Sequence, residues 1–193
     1  VAQQLLTVFG HPISAPSANM SGHVSPTTAQ HVADEFGDEL QIIDGGPCEK
    51  GIESTVISMV ESPTVLRFGS ITVEELQREI GDVMEGQTQE QSNSPGTSTR
   101  HYAPNTKVLL YTQQQVVSAD LTNCVVISFS SPHPNTSNHI QMPSSACEYA
   151  KQLYAVLREA DGMGVHQIIV ERPPETPEWK AVNDRLRRCC TRD

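Results

Sequence analysis

The chain has 193 residues, room for one medium domain or two small ones, and only 37% of them are apolar and 5% aromatic. Its 23 Asp and Glu against 13 Lys and Arg leave a formal net charge of −10, which argues against a direct grip on RNA or other nucleic acid, since phosphate contacts need a basic surface. No apolar run approaches the roughly 20 residues of a membrane span, and no basic-then-apolar leader is seen, so a soluble protein with no membrane partner is expected. The five cysteines, Cys48, Cys124, Cys147, Cys189 and Cys190, include an adjacent pair and no CxxC spacing. Reduced thiols and a cytoplasmic location follow as expectations.

In chain order, residues 1–9 read as a helix with Leu5, Leu6 and Phe9 on one face. The chain opens mid-pattern without a methionine or a cap, which predicts a region preceding it. Residues 11–15 read as a short strand entering a loop. Ser25-Pro26-Thr27-Thr28 predicts a helix start, with Ser25 as N-cap and Pro26 in the first helical position, ending at Gly37. Residues 40–43 read as a strand before the Asp44-Gly45-Gly46-Pro47 turn, and residues 55–59 and 64–68 as adjacent strands. Thr72 with Glu75 makes a capping box for a helix over 73–80.

Beyond Val83 the composition turns to Gln, Ser, Thr, Asn, Gly and Pro, the mark of a linker, which ends in Arg100-His101-Tyr102-Ala103-Pro104. Strands are expected over 107–111, 124–129 and 166–170, with a loop over 130–143. Ser145 and Glu148 form a second capping-box pattern before a helix to about residue 160, with Tyr149, Leu153, Val156 and Leu157 as its apolar stripe. A last helix runs from Thr176-Pro177-Glu178 to about residue 188, and its Arg185, Arg187 and Arg188 read as a solvated face. Strand, helix, strand, helix is the pattern of a small parallel α/β layer.

Chemistry concentrates in few places. The segment from Ser14 to Thr27 sets small and hydroxyl residues before a helix N-terminus, which suits a phosphate cradle or a polar capping loop. In Gly51-Ile52-Glu53-Ser54-Thr55, Ser54 is a candidate substrate contact and Glu53 either a base or a paired surface carboxylate. Arg67, at a strand end, suits a bidentate phosphate contact or a surface ion pair. Tyr102 either covers a nucleotide or anchors the linker. The histidines lack metal-ligand spacing, so no protein metal site is expected.

Taken together and in order, Pro12 to Gly22, Ser25-Pro26-Thr27, Ile43-Asp44-Gly45-Gly46, Gly51 to Val56 and Leu66-Arg67-Phe68-Gly69 resemble the C-terminal half of a YrdC-type catalytic domain. Ser94-Pro95-Gly96 and His101-Tyr102-Ala103-Pro104 resemble the interdomain linker of two-domain threonylcarbamoyl-AMP synthases. The resemblance implies an α/β fold: a partial YrdC-like twisted α/β sheet domain over 1–84, a linker over 85–106 and a small Rossmann-like parallel α/β domain over 107–193. It also implies that L-threonine, bicarbonate or CO2, and ATP with Mg²⁺ become threonylcarbamoyl-AMP and pyrophosphate, in a nucleotidyltransferase reaction. The product would pass to a threonylcarbamoyl transferase complex that modifies tRNA.

By the same resemblance Ala15 and Ser54 face threonine, and Ser17, Ser25, Arg67 and Tyr102 face the nucleotide. Asn19 matches the motif without an assigned role. The family's N-terminal half has no counterpart here, Thr97-Ser98-Thr99 replaces an often bulkier or basic stretch, and Phe68 stands where proline is common. An incomplete, inactive isolated chain is therefore expected. The rival expectations are a non-catalytic YrdC-like RNA-binding module and a carbamoyltransferase-type relative.

Overall fold

A computed structural model of the chain describes residues 1–86, 102–130 and 138–190. The readings made on residues 94–99 and on His101 lie outside the described residues.

The first half builds a three-stranded sheet at its end. Strand β1 (Val56–Ser58) pairs antiparallel with β2 (Thr64–Arg67), and β2 pairs parallel with β3 (Met84–Glu85). Helix α3 (Val73–Ile80) has its expected capping box, with the Thr72 hydroxyl accepting from Glu75 N–H and the Glu75 carboxylate accepting from Thr72 N–H. Val65, Val73 and Val83 form the small core beneath it. Upstream lie α1 (Ala2–Phe9) and α2 (Ala29–Phe36), neither of which buries a residue completely.

The second half is a parallel sheet in the order β4 (Lys107–Tyr111), β7 (Gln167–Glu171), β5 (Cys124–Ser128), β6 (His139–Gln141). Alternation along the strands separates two cores. Val108, Val125, Ile127, Ile168 and Val170 join Leu153, Leu157 and Leu186 of α5 (Ala146–Asp161) and α6 (Lys180–Cys189). On the opposite face Val126 and Ile169 meet Val116 of the short helix α4 (Gln113–Ser118). β5 is buried along its whole length, as a central strand covered on both faces must be. At the carboxyl ends of the strands, Oε2 of buried Glu171 accepts from the N–H groups of Phe129 and Ser130 (3.1 and 3.0 Å) and from the Ser130 hydroxyl.

Several expectations give way. The α2 helix begins at Ala29 with Thr28 as its N-cap, not at Pro26, because the Ser25 hydroxyl is engaged elsewhere. Residues 11–15 and 40–43 form no strand, having no strand alongside to pair with among the described residues. Ser145 caps α5 without a side-chain bond. Part of the expected loop over 130–143 is strand β6, paired through Val126, Ile127 and Ser128. Arg185 and Arg188 are buried, 1% and 5% exposed, rather than solvated, because Glu53 and Asp184 supply counter-charges inside the fold.

The halves meet closely. A Cβ at Gly51 would lie 2.4 Å from both Cα and O of Lys151 on α5, and Gly51 has φ +75°. We expect Gly51→Ala to destabilise the chain by about 2–4 kcal/mol, from overlap plus left-handed strain. At Gly10, with φ +72° and no atom within 4 Å of the same Cβ, alanine should cost only about 1–2 kcal/mol. Urea unfolding midpoints of the two variants check the difference.

Candidate functional site

Ser17, Ser25, Thr27, Lys50, Glu53 and Tyr154 line a cleft of about 410 Å³ where the first half meets α5. Glu53 organises it. Its Oε1 accepts from the Ser25 hydroxyl at 2.6 Å, and its Oε2 accepts from the Tyr154 hydroxyl and from Arg185 Nε, both at 2.8 Å. Burial pushes the Glu53 carboxyl up, but Arg185 and the hydrogen bonds from Ser25 and Arg185 outweigh it, and the net shift is downward. Burial pushes the Tyr154 hydroxyl well above its ordinary range, which keeps it protonated as a donor.

Arg67, at the end of β2, donates from Nε to the Ser54 carbonyl at 3.2 Å and from Nη2 to the Ser54 hydroxyl at 3.4 Å. It also hydrogen-bonds Tyr102. Tyr102 is 2% exposed, stacks on Tyr154 with ring centroids 5.6 Å apart, and has the Arg185 guanidinium 5.1 Å from its ring centroid. Its φ is 59°, a left-handed conformation that costs a bulky residue energy and that the surrounding contacts must hold. The next residue, Ala103, donates its N–H to the Gly22 carbonyl.

Of the six residues singled out from the sequence, Ser17 and Ser25 thus share the cleft, while Ser54, Arg67 and Tyr102 form a bonded group beside it, joined to it by Glu53 and Tyr154. Ala15 is exposed in the segment without regular structure after α1. Asn19, which had no role, holds a turn: its Nδ2 donates to the Met20 and His23 carbonyls. That turn is tied to α5 through Glu35, which accepts from Met20 N–H at 2.5 Å and from Arg158 at 2.6 Å.

Sequence reading missed Tyr154 and Arg185. The signals were present: Tyr154 sits inside an apolar helical stripe with a hydroxyl that needs a partner, and Arg185 shares a face with Val182, Leu186 and Cys189. Among the described residues, no three His, Cys, Asp or Glu side chains stand together as a metal site. No helix among them is long and apolar enough to cross a membrane.

Residues 71–191 match the family model described as threonylcarbamoyl-AMP synthase, C-terminal domain. The chain belongs to the threonylcarbamoyl-AMP synthase family. Residues 1–69 match a second family model, described as telomere recombination. The threonylcarbamoyl-AMP synthase of Pyrococcus abyssi is 33% identical over 205 residues, covering 97% of this chain and 60% of that protein. The Schizosaccharomyces pombe threonylcarbamoyl-AMP synthase is 32% identical over 221 residues, with 96% and 54% covered. A crystal structure of P. abyssi Sua5 complexed with L-threonine superposes with a TM-score of 0.88 at 32% identity, over 97% of this chain and 60% of that one. A variant of the same protein, with alanines replacing an adjacent histidine and tyrosine, gives a TM-score of 0.85 at 30% identity. The chain therefore spans a little over half the length of these threonylcarbamoyl-AMP synthases. The likeness bears out the α/β fold, a YrdC-like part followed by a parallel α/β part.

Because the Glu53 carboxyl is shifted below its ordinary value of 4.5, its contribution to stability is complete above that pH and is lost as pH falls through the lower folded value. We expect Glu53→Gln to destabilise the chain by about 2 kcal/mol at neutral pH, because buried Arg185 loses one of its two counter-charges and keeps only Asp184 among the described residues. The gap from the wild type should narrow as pH falls below 4.5. Urea unfolding at a series of pH values measures it.

Proposed function

We propose that this chain supplies one side of the active site of an L-threonylcarbamoyladenylate synthase, a nucleotidyltransferase, within a longer polypeptide. The observation that carries the reading is that Ser25 bonds the Glu53 carboxylate while Ser54, Arg67 and Tyr102 form a bonded group beside it, linked to Glu53 through Tyr154. Ala15 and Ser54 would contact L-threonine, and the relative crystallised with L-threonine supports threonine as the amino acid. Ser17, Ser25, Arg67 and Tyr102 would contact the nucleotide. The relative's altered pair is an adjacent histidine and tyrosine, and the present sequence has one such pair, His101-Tyr102, which supports a place for Tyr102 at the site.

In this reading the threonine amine captures CO2, from bicarbonate, and loses a proton to give a carbamate. A carbamate oxygen then bonds to the α-phosphorus of ATP, and the bond from that phosphorus to the bridging oxygen breaks, the electron pair leaving with pyrophosphate. The chain's part is positioning and charge stabilisation. The Arg67 guanidinium would offer phosphate oxygens the N–H groups it does not give to Ser54, with the hydroxyls of Ser17 and Ser25 beside it once Ser25 turns from Glu53. Mg²⁺ would arrive on the phosphates of ATP and screen their charge. The product would pass to a tRNA-modifying threonylcarbamoyl transferase complex in the cytoplasm. A formal net charge of −10 favours handing on a small molecule over gripping tRNA.

The longer polypeptide should release pyrophosphate from ATP only with threonine and bicarbonate present, and the isolated 193-residue chain should release little or none. Pyrophosphate release independent of threonine would overturn the reading. Arg67→Ala in the longer polypeptide should raise KM for ATP at least about tenfold, as loss of a charge-assisted contact does. An unchanged KM would remove Arg67 from the site.

A further inference from the structure

The largest cleft among those described shares no lining residue with the Glu53 cleft, although Asp184 in its wall pairs with Arg185. It encloses about 460 Å³ between the Phe68 and Gly86 region of the first half and the segment from Arg172 through α6. Its place in the sheet is distinctive. β4 and β7 are neighbours, yet the chain leaves β4 for α4 on one face of the sheet and leaves β7 for α6 on the other. Connections that part to opposite faces open a crevice outside the carboxyl ends of the two strands, which is where open parallel sheets take their ligands. Leu110 of β4 and Arg172, one residue past β7, stand at that crevice.

Charge in the cleft is unevenly spent. Lys180 is paired with Glu85, and Asp184 is held by Arg185 at 2.7 Å and Arg188 at 3.0 Å. Arg172 and Arg187 are exposed and have no carboxylate partner among the described residues, and the Arg187 side chain bonds only the Asn183 carbonyl through Nε. Glu175, also exposed, has no ion-pair partner among the described residues. Two guanidiniums without a carboxylate partner among the described residues, against one carboxylate exposed to water, favour an anion with several oxygens. Phe68 and Leu110 add apolar wall.

We propose that this crevice is a second binding site, for a small phosphate-bearing anion held by Arg172 and Arg187. It gives the parallel α/β half a ligand of its own, and the proposal stands independently of the function assigned to the Glu53 site.

Isothermal titration of the 193-residue chain with inorganic phosphate, inorganic pyrophosphate and ribose 5-phosphate tests it. Saturable binding of at least one probe is expected, weakened at least about tenfold by Arg172→Ala and by Arg187→Ala and strengthened by Glu175→Gln. Both arginines are exposed, so thermal unfolding of the variants should match the wild type. Tighter binding of ribose 5-phosphate would assign the apolar wall to the body of a phosphate ester; tighter binding of the inorganic ions would assign the site to phosphate or pyrophosphate. No saturable binding of any probe would overturn the proposal. So would binding that Arg67→Ala abolishes while Arg172→Ala and Arg187→Ala leave it unchanged.

Discussion

A half-enclosed carboxylate, Glu53, is the constraint on which the arrangement rests. Its two oxygens take three short hydrogen bonds from three different stretches of chain: Ser25 ahead of α2, Tyr154 on α5 and Arg185 on α6. Removing an arginine from water costs several kcal/mol, and only a well-placed partner offsets it. Arg185 has two, Glu53 and Asp184, and without them the inner face of α6 could not seat a guanidinium against the aromatic pair Tyr102 and Tyr154. The same bonds orient the hydroxyl of Ser25, so the joint between the halves and the geometry of the candidate site are one structure.

This explains why Tyr102 tolerates a left-handed backbone. A bulky side chain in that region stays there only when its surroundings over-determine it. Stacking on Tyr154, the guanidinium face of Arg185, a hydrogen bond with Arg67 and the Ala103 to Gly22 backbone bond all act on the same few atoms.

Much of the fold was legible in the sequence because it rests on local rules. The Thr72 and Glu75 box, the β-branched runs and the apolar stripe of α5 each decide their own conformation. The misreadings arose where distant groups compete for the same atoms. The Ser25 hydroxyl looked like a helix cap and instead serves Glu53, 28 residues away in sequence, leaving Thr28 to cap α2. Arg185 looked solvated because its partner Glu53 lies 132 residues upstream, whereas Arg187 is exposed as expected. At the candidate site, residue types in motif order pointed to Ser25, Ser54, Arg67 and Tyr102. The groups that hold them, Tyr154 and Arg185, belong to helices whose periodicity says only that a face is buried.

Glu171 carries a different kind of consequence. Backbone N–H groups in the loops that leave the carboxyl ends of parallel strands are a common seat for phosphate. Here the amides of Phe129 and Ser130 already close on the Glu171 carboxylate. Those two amides are therefore spent on a carboxylate of the chain itself. A ligand in the crevice beside β4 would thus be held by side chains such as Arg172 and Arg187 rather than by the Phe129 and Ser130 amides.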